Sequence, residues 1–90
     1  MTADELLQRY PRETLRWLRG RLGLSQLALA RQLGADITSV NGWEAGRHRI
    51  SRAHRVRLVP LLAPELATEA GRAWLRTLGG ADEVLGGAGC

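Results

Sequence analysis

"LSQLALARQLGADITSVNGWEAGRHR", Leu24 to Arg49, carries two helical patterns joined only by Gly34-Ala35. Ser25 predicts an N-cap, because its hydroxyl can accept a bond from a free backbone N–H of the first turn. Leu29, Ala30 and Leu33 then recur on one face, and Gly34 ends that helix after about two and a half turns. Asp36 predicts the cap of a second helix over 36–45, in which Ile37, Val40 and Trp43 or Glu44 recur at helical spacing and which Gly46 closes. A two-residue, Gly-containing link forces a sharp angle between the two helices.

Outward from this pair, the periodicity stays helical. "PRETLRWLRGRLG", Pro11 to Gly23, places Leu15, Leu18 and Leu22 on one face. Pro11 suits a first helical turn and Gly23 a stop. Downstream, "ISRAHRVRLVPLLA" predicts a helix from Ser51 that kinks or ends at Pro60, which lacks an N–H and clashes with the carbonyl of Val56. Pro64 opens a further helix, with Leu66, Ala70, Ala73, Trp74 and Thr77 as its apolar stripe and Glu65, Glu69, Arg72 and Arg76 as its polar one. The pattern predicts an all-α chain, a compact bundle of four to five helices. Residues 1–10 form an N-terminal segment, 11–63 the main helical domain, 64–79 a C-terminal helix and 80–90 a flexible Gly-rich tail.

Ninety residues fit one domain with a modest core. The net charge of +4 is unevenly spread. From Arg9 to Arg57, 11 Arg face only Glu13, Asp36 and Glu44, whereas the flanks hold Arg72 and Arg76 against six acids. A basic module of this kind suits a polyanion, nucleic acid first; on charge alone, a solvated arginine surface suits it equally. Cys90 is the sole cysteine, which excludes an intramolecular disulfide and fits a reducing cytoplasmic setting. No apolar run nears the roughly 20 residues of a membrane span, and "MTADELLQRY" lacks the apolar core of a secretory signal.

The segment from Leu15 to Leu62 resembles the Cro and phage-repressor (XRE-type) family of helix-turn-helix DNA-binding domains. The likeness rests on "LSQLALARQLG", on the turn Gly34-Ala35-Asp36, and on "WEAGRHR" at the expected offset. It implies a helix-turn-helix DNA-binding domain over 11–63, usually a dimeric transcriptional regulator of the repressor type. Val40 and Trp43 then hold helix 36–45 on the core, and Ile37, Thr38, Asn41 and Gly42 face the base edges. The resemblance also implies phosphate contacts from Ser25, Gln26, Ser39, Arg47, Arg49 and Arg52, and an ion pair between Arg19 and Glu44.

This reading set is sparse. Ile37 can pack on a thymine methyl, Thr38 can donate, accept or offer a methyl, and only Asn41 can make the paired contact to adenine. No arginine stands on this face of the helix to hold guanine. Gly42 either lets the backbone approach DNA closely or simply costs the helix up to about 1 kcal/mol relative to Ala. Sparse readout leaning on A·T steps is therefore expected, with Asn41 the residue whose loss relaxes specificity most.

Other classes are weaker. Leu66, Ala70, Trp74 and Leu78 are candidates for a homodimer surface, or equally for packing back on the module's own core. The same fold also serves as an antitoxin that sequesters a toxin, or as an adaptor on transcription machinery, and Leu27 and the acidic C-terminal region fit such a protein partner. An enzyme is the least supported class: no phosphate-cradling GxxxxGK[ST] loop is present, and no cofactor is implied. His48 and His54 lack companions for a zinc site.

Overall fold

The computed structural model describes residues 1–88, with side chains through residue 78. Among these residues six α-helices follow one another: α1 (Ala3–Arg9), α2 (Pro11–Leu22), α3 (Gln26–Leu33), α4 (Ile37–Ala45), α5 (Arg52–Leu66) and α6 (Glu69–Ala88). Among the described residues there is no strand. No helix there is long and apolar enough to cross a membrane.

Local chemistry sets the helix ends. The Ser25 hydroxyl accepts from the Ala28 N–H at 3.1 Å and starts α3. Asp36 occupies the N-cap of α4 without a side-chain capping bond, unlike the cap expected of it. Gly34 and Gly46 stand at φ 64 and 79 after α3 and α4, a left-handed backbone that a Cβ would strain. Each reversal lets the next residue bond back into the helix, Ala35 N–H to Ala30 at 2.9 Å and Arg47 N–H to Gly42 at 2.8 Å.

The leucines that the periodicity aligned are the core. Leu15, Leu18, Leu29, Leu33 and Val40 are fully or almost fully buried, together with Trp43, Ile50, Leu58 and Leu62. On this core α4 packs across α2 and α3, and α5 supports α1, α2 and α3 from the other side. Arg57 of α5 donates to the Leu33 carbonyl at 2.8 Å, satisfying the end of α3.

Two expectations need correction. The N-terminal segment contains a helix, α1, started by a reciprocal cap. Thr2 Oγ1 accepts from the Glu5 N–H at 3.1 Å, and the Glu5 carboxylate accepts from the Thr2 N–H at 3.2 Å. Its Leu6 and Leu7 are fully buried, and the buried Thr14 hydroxyl of α2 donates to the Leu6 carbonyl at 3.4 Å.

Secondly, α5 neither ends at Pro60 nor restarts at Pro64; it runs through both. Val56, Pro60 and Pro64 lie four residues apart on the exposed side of α5. The carbonyls that the prolines leave without an intrahelical donor therefore face water, which keeps the loss tolerable. The next helix starts at Glu69 instead, after Thr68, whose hydroxyl accepts from the Gly71 N–H at 3.0 Å. Its backbone continues to Ala88 through most of the segment expected as a tail. Cys90 lies outside the described residues.

The C-terminal helix folds back on its own module. Trp74 of α6 stacks on Trp17 of α2, with ring centroids 4.7 Å apart and planes 10° from parallel. Gly71 is buried where α6 meets the end of α5. A Cβ there would lie 2.6 Å from the Cα of Leu66. Of the four residues considered for a dimer surface, Trp74 and Leu66 are thus engaged within the chain, Ala70 is exposed and Leu78 half-buried.

Candidate nucleic-acid interface

Helix α4 divides its residues between anchoring and presentation. Val40 and Trp43 turn into the core, and the His54 ring of α5 lies against Trp43 at 5.0 Å between centroids. Ile37, 44% exposed, and the exposed Thr38 and Asn41 stand on the opposite side. With Gln26 and Arg47 they line a shallow bay of about 240 Å³ between the start of α3 and the outer face of α4.

Gly42 follows Thr38 by one helical turn on that face, but it is covered. It is buried, and the His48 ring lies over it: a Cβ built on Gly42 would run into His48 Cδ2 and come within 3.2 Å of Nε2. The base-facing position expected for Gly42 is corrected in one respect: it is not open, because the exposed His48 ring covers it. In this structure the missing side chain makes room for an imidazole that the Gly46 reversal brings back over α4.

Beneath the bay lies an ion pair. Arg19 Nε and Nη2 donate to the two carboxylate oxygens of Glu44 at 2.7 and 2.8 Å, and Arg19 Nη1 donates to the Leu24 carbonyl at 3.2 Å. Glu44 is only 2% exposed. Its hydrogen bond raises the Arg19 guanidinium further above its usual value, against the opposing effect of burial. The pair joins α2 to the end of α4, and Arg16 adds a looser contact to the same carboxylate at 3.8 Å.

From Glu44 a row of hydrogen bonds runs outward. Gln26 Nε2 donates to Glu44 Oε1 at 3.3 Å. Asn41 Nδ2 donates to Gln26 Oε1 at 3.3 Å. Arg47 Nη2 donates to Asn41 Oδ1 at 2.6 Å. The structure thus gathers Arg19, Glu44, Gln26, Asn41 and Arg47 into one array, although the sequence assigned them to three separate jobs. Helical phase could not reveal this, because Arg47 lies beyond the glycine that ends the helix.

The remaining basic and polar candidates are more dispersed. The Ser25 oxygen is engaged as a cap, leaving its proton free to donate. Ser39 is half-buried in the first turn of α4. Arg49 is exposed and lines a cavity of about 380 Å³ with Arg9, Pro11 and Arg55. Arg55 itself is held by Asp4 and by the Ile50 carbonyl, both at 2.8 Å. Arg52, exposed at the start of α5, lies on the side of Asp4, whose carboxyl it helps to hold in the charged form. His48 and His54 serve as packing rings, a role that their H-x5-H spacing did not disclose.

The family model of a helix-turn-helix domain matches residues 12–63, more than half of the chain and inclusive of α3, α4 and all but the end of α5. Searches of curated proteins and of solved structures find no match.

Proposed function

Because this chain belongs to the helix-turn-helix domain family, we propose that it is a sequence-specific transcriptional regulator, a dimeric repressor that lays α4 in the major groove of double-stranded DNA. The observation that carries this reading is the division of α4. One side is rooted by Val40, Trp43 and the Arg19–Glu44 pair, while Ile37, Thr38 and Asn41 stand exposed on the other. A rigidly held helix with a short polar and apolar outer edge can enter a groove without reorganising.

Phosphates on either side would be met by Ser25 and Gln26 at the start of α3, where the helix dipole favours an anion, and by Ser39, Arg49 and Arg52. One domain of this size buries too little surface for tight operator binding, so two copies on two half-sites are expected. The exposed part of α6, with Ala70, is the surface assigned to that contact in this reading. The function needs no cofactor and no catalysis, and it places the protein in the cytoplasm. Leu27, 43% exposed beside Gln26, favours a second role in which a protein partner such as a toxin or the transcription machinery docks there.

Selection of bound duplexes from random DNA tests the proposal. Enrichment of two inverted half-sites, about 10 base pairs apart centre to centre or a multiple of that, is the expected result. Failure to enrich any sequence at low salt would overturn it. Sedimentation of the full chain and of a chain ended after Thr68, which keeps α5 whole, shows whether α6 holds the dimer.

A further inference from the structure

The array that rises from Glu44 has a direction, and the direction changes which residue faces a base. A carboxylate only accepts. Gln26 must therefore turn its NH₂ toward Glu44 and its oxygen away, and that oxygen takes the Asn41 NH₂. The Asn41 oxygen is left facing outward, where Arg47 donates to it. Both ends of the Asn41 amide are engaged. Reading adenine would need that same oxygen and NH₂ together on one base edge, so Asn41 is poorly placed to do it.

Arg47 ends the row, and two bonds hold it there. Its backbone N–H donates to the Gly42 carbonyl at 2.8 Å across the Gly46 reversal, and its guanidinium donates to Asn41. Among the described residues Asn41 is that guanidinium's only side-chain partner, so most of its five N–H donors remain open beside the bay lined by Ile37 and Thr38. A planar fork of donors matches the paired O6 and N7 acceptors of guanine; adenine presents a donor next to its acceptor and does not match.

We propose that Arg47 is a specificity-determining residue that reads a guanine in the major groove, with Asn41 as the residue that positions it. This rests on the DNA-binding reading above. It gives the surface the guanine-reading group that α4 itself lacks, and it sets Arg47 apart from arginines that only neutralise phosphate.

The test uses the full-length chain and the duplex it selects from random DNA. The selected half-site should contain a guanine. Replacing that guanine by 7-deazaguanine, which pairs normally but lacks the N7 acceptor, should weaken wild-type binding by about tenfold or more. Arg47→Ala should bind the two duplexes equally and select sites without that guanine. Asn41→Ala should relax the guanine preference, while Asn41→Asp, which keeps an acceptor for Arg47, should retain it at lower overall affinity.

Several results overturn the proposal while leaving DNA binding intact. A selected site without guanine is one. Another is an Arg47→Ala chain that keeps the guanine preference, loses affinity uniformly, and has a salt dependence shallower by about one log–log unit, which would put Arg47 on a phosphate. A wild-type chain that selects no sequence at all overturns the regulator reading and this proposal together. Unchanged thermal unfolding of Arg47→Ala, expected for an exposed side chain, excludes misfolding as the cause.

Discussion

Arg19 holds both carboxylate oxygens of Glu44, at 2.7 and 2.8 Å, across a separation of 25 residues in the chain. This contact ties α2 to the end of α4, and the carboxylate it engages, which can only accept, sets the polarity of the hydrogen bonds built on Glu44. Desolvation offsets much of the attraction in such a pair, so it specifies geometry more than it adds net stability.

Removing one half should be far worse than exchanging both. Glu44→Ala leaves the Arg19 charge and the Gln26 amide without their acceptor, and we expect a loss on the order of 3 kcal/mol in urea unfolding. The exchanged double variant Arg19→Glu/Glu44→Arg should recover part of that loss. If it is no more stable than either single exchange, the pairing does not carry the orientation.

The His48 ring occupies the space that a side chain on Gly42 would take. In Gly42→Ala the new methyl must push His48 aside, which offsets the gain in helix propensity. In a His48→Ala background nothing opposes that gain, and Gly42→Ala should stabilise the chain by up to about 1 kcal/mol in thermal unfolding. Equal effects in the two backgrounds would show that the ring exerts no pressure there.

Gly71 differs because backbone lies against it. A Cβ there would sit 2.6 Å from the Leu66 Cα and 2.7 Å from its carbonyl carbon, neither of which can swing away. Gly71→Ala should cost about 1 to 3 kcal/mol and displace α6. Loss of the near-ultraviolet circular dichroism that arises from the Trp17–Trp74 stack would report the displacement. A variant with wild-type stability and an intact tryptophan signal would contradict the close packing.

Acid should loosen α1. The hydrogen bond from Arg55 holds the Asp4 carboxyl below its ordinary value of 3.8, with Gln8 and the Arg52 charge acting in the same direction. A group lowered on folding stabilises the protein above its unfolded value and loses that effect as pH falls through its folded value. The stability difference between wild type and Asp4→Asn should therefore hold steady at neutral pH and close below about pH 4. A difference that does not change with pH would remove the Asp4–Arg55 contact as its source.

The sequence disclosed most where one residue type dictates one local geometry. Gly23, Gly34 and Gly46 end their helices with positive φ, Ser25 caps α3, and the leucine spacing of α2 and α3 marks the core. Helix α1 escaped because seven residues are too few for apolar periodicity. Its signal was the Thr2–Glu5 pair beside two consecutive leucines. The continuity of α5 escaped because a proline's effect on a helix depends on which way the orphaned carbonyl faces, and that is set by packing. Four-residue spacing puts both gaps on the solvent side. The cover on Gly42 and the place of Arg47 depend on chain reversal at Gly46, and helical phase does not extend past a left-handed residue.

Glu44 never meets solvent to any useful extent, yet it governs what the surface offers. Because it can only accept, each partner further out must give a proton inward and show a lone pair outward, until a residue with nothing but protons closes the sequence. A cation buried in its place would invert that rule at every step and leave the rim asking for an acid, which a phosphate-lined groove repels. The chemistry of the rim and the composition of the interior therefore cannot drift independently. Substitutions at Gln26, Asn41 and Arg47 are constrained by a carboxylate that lies below all three.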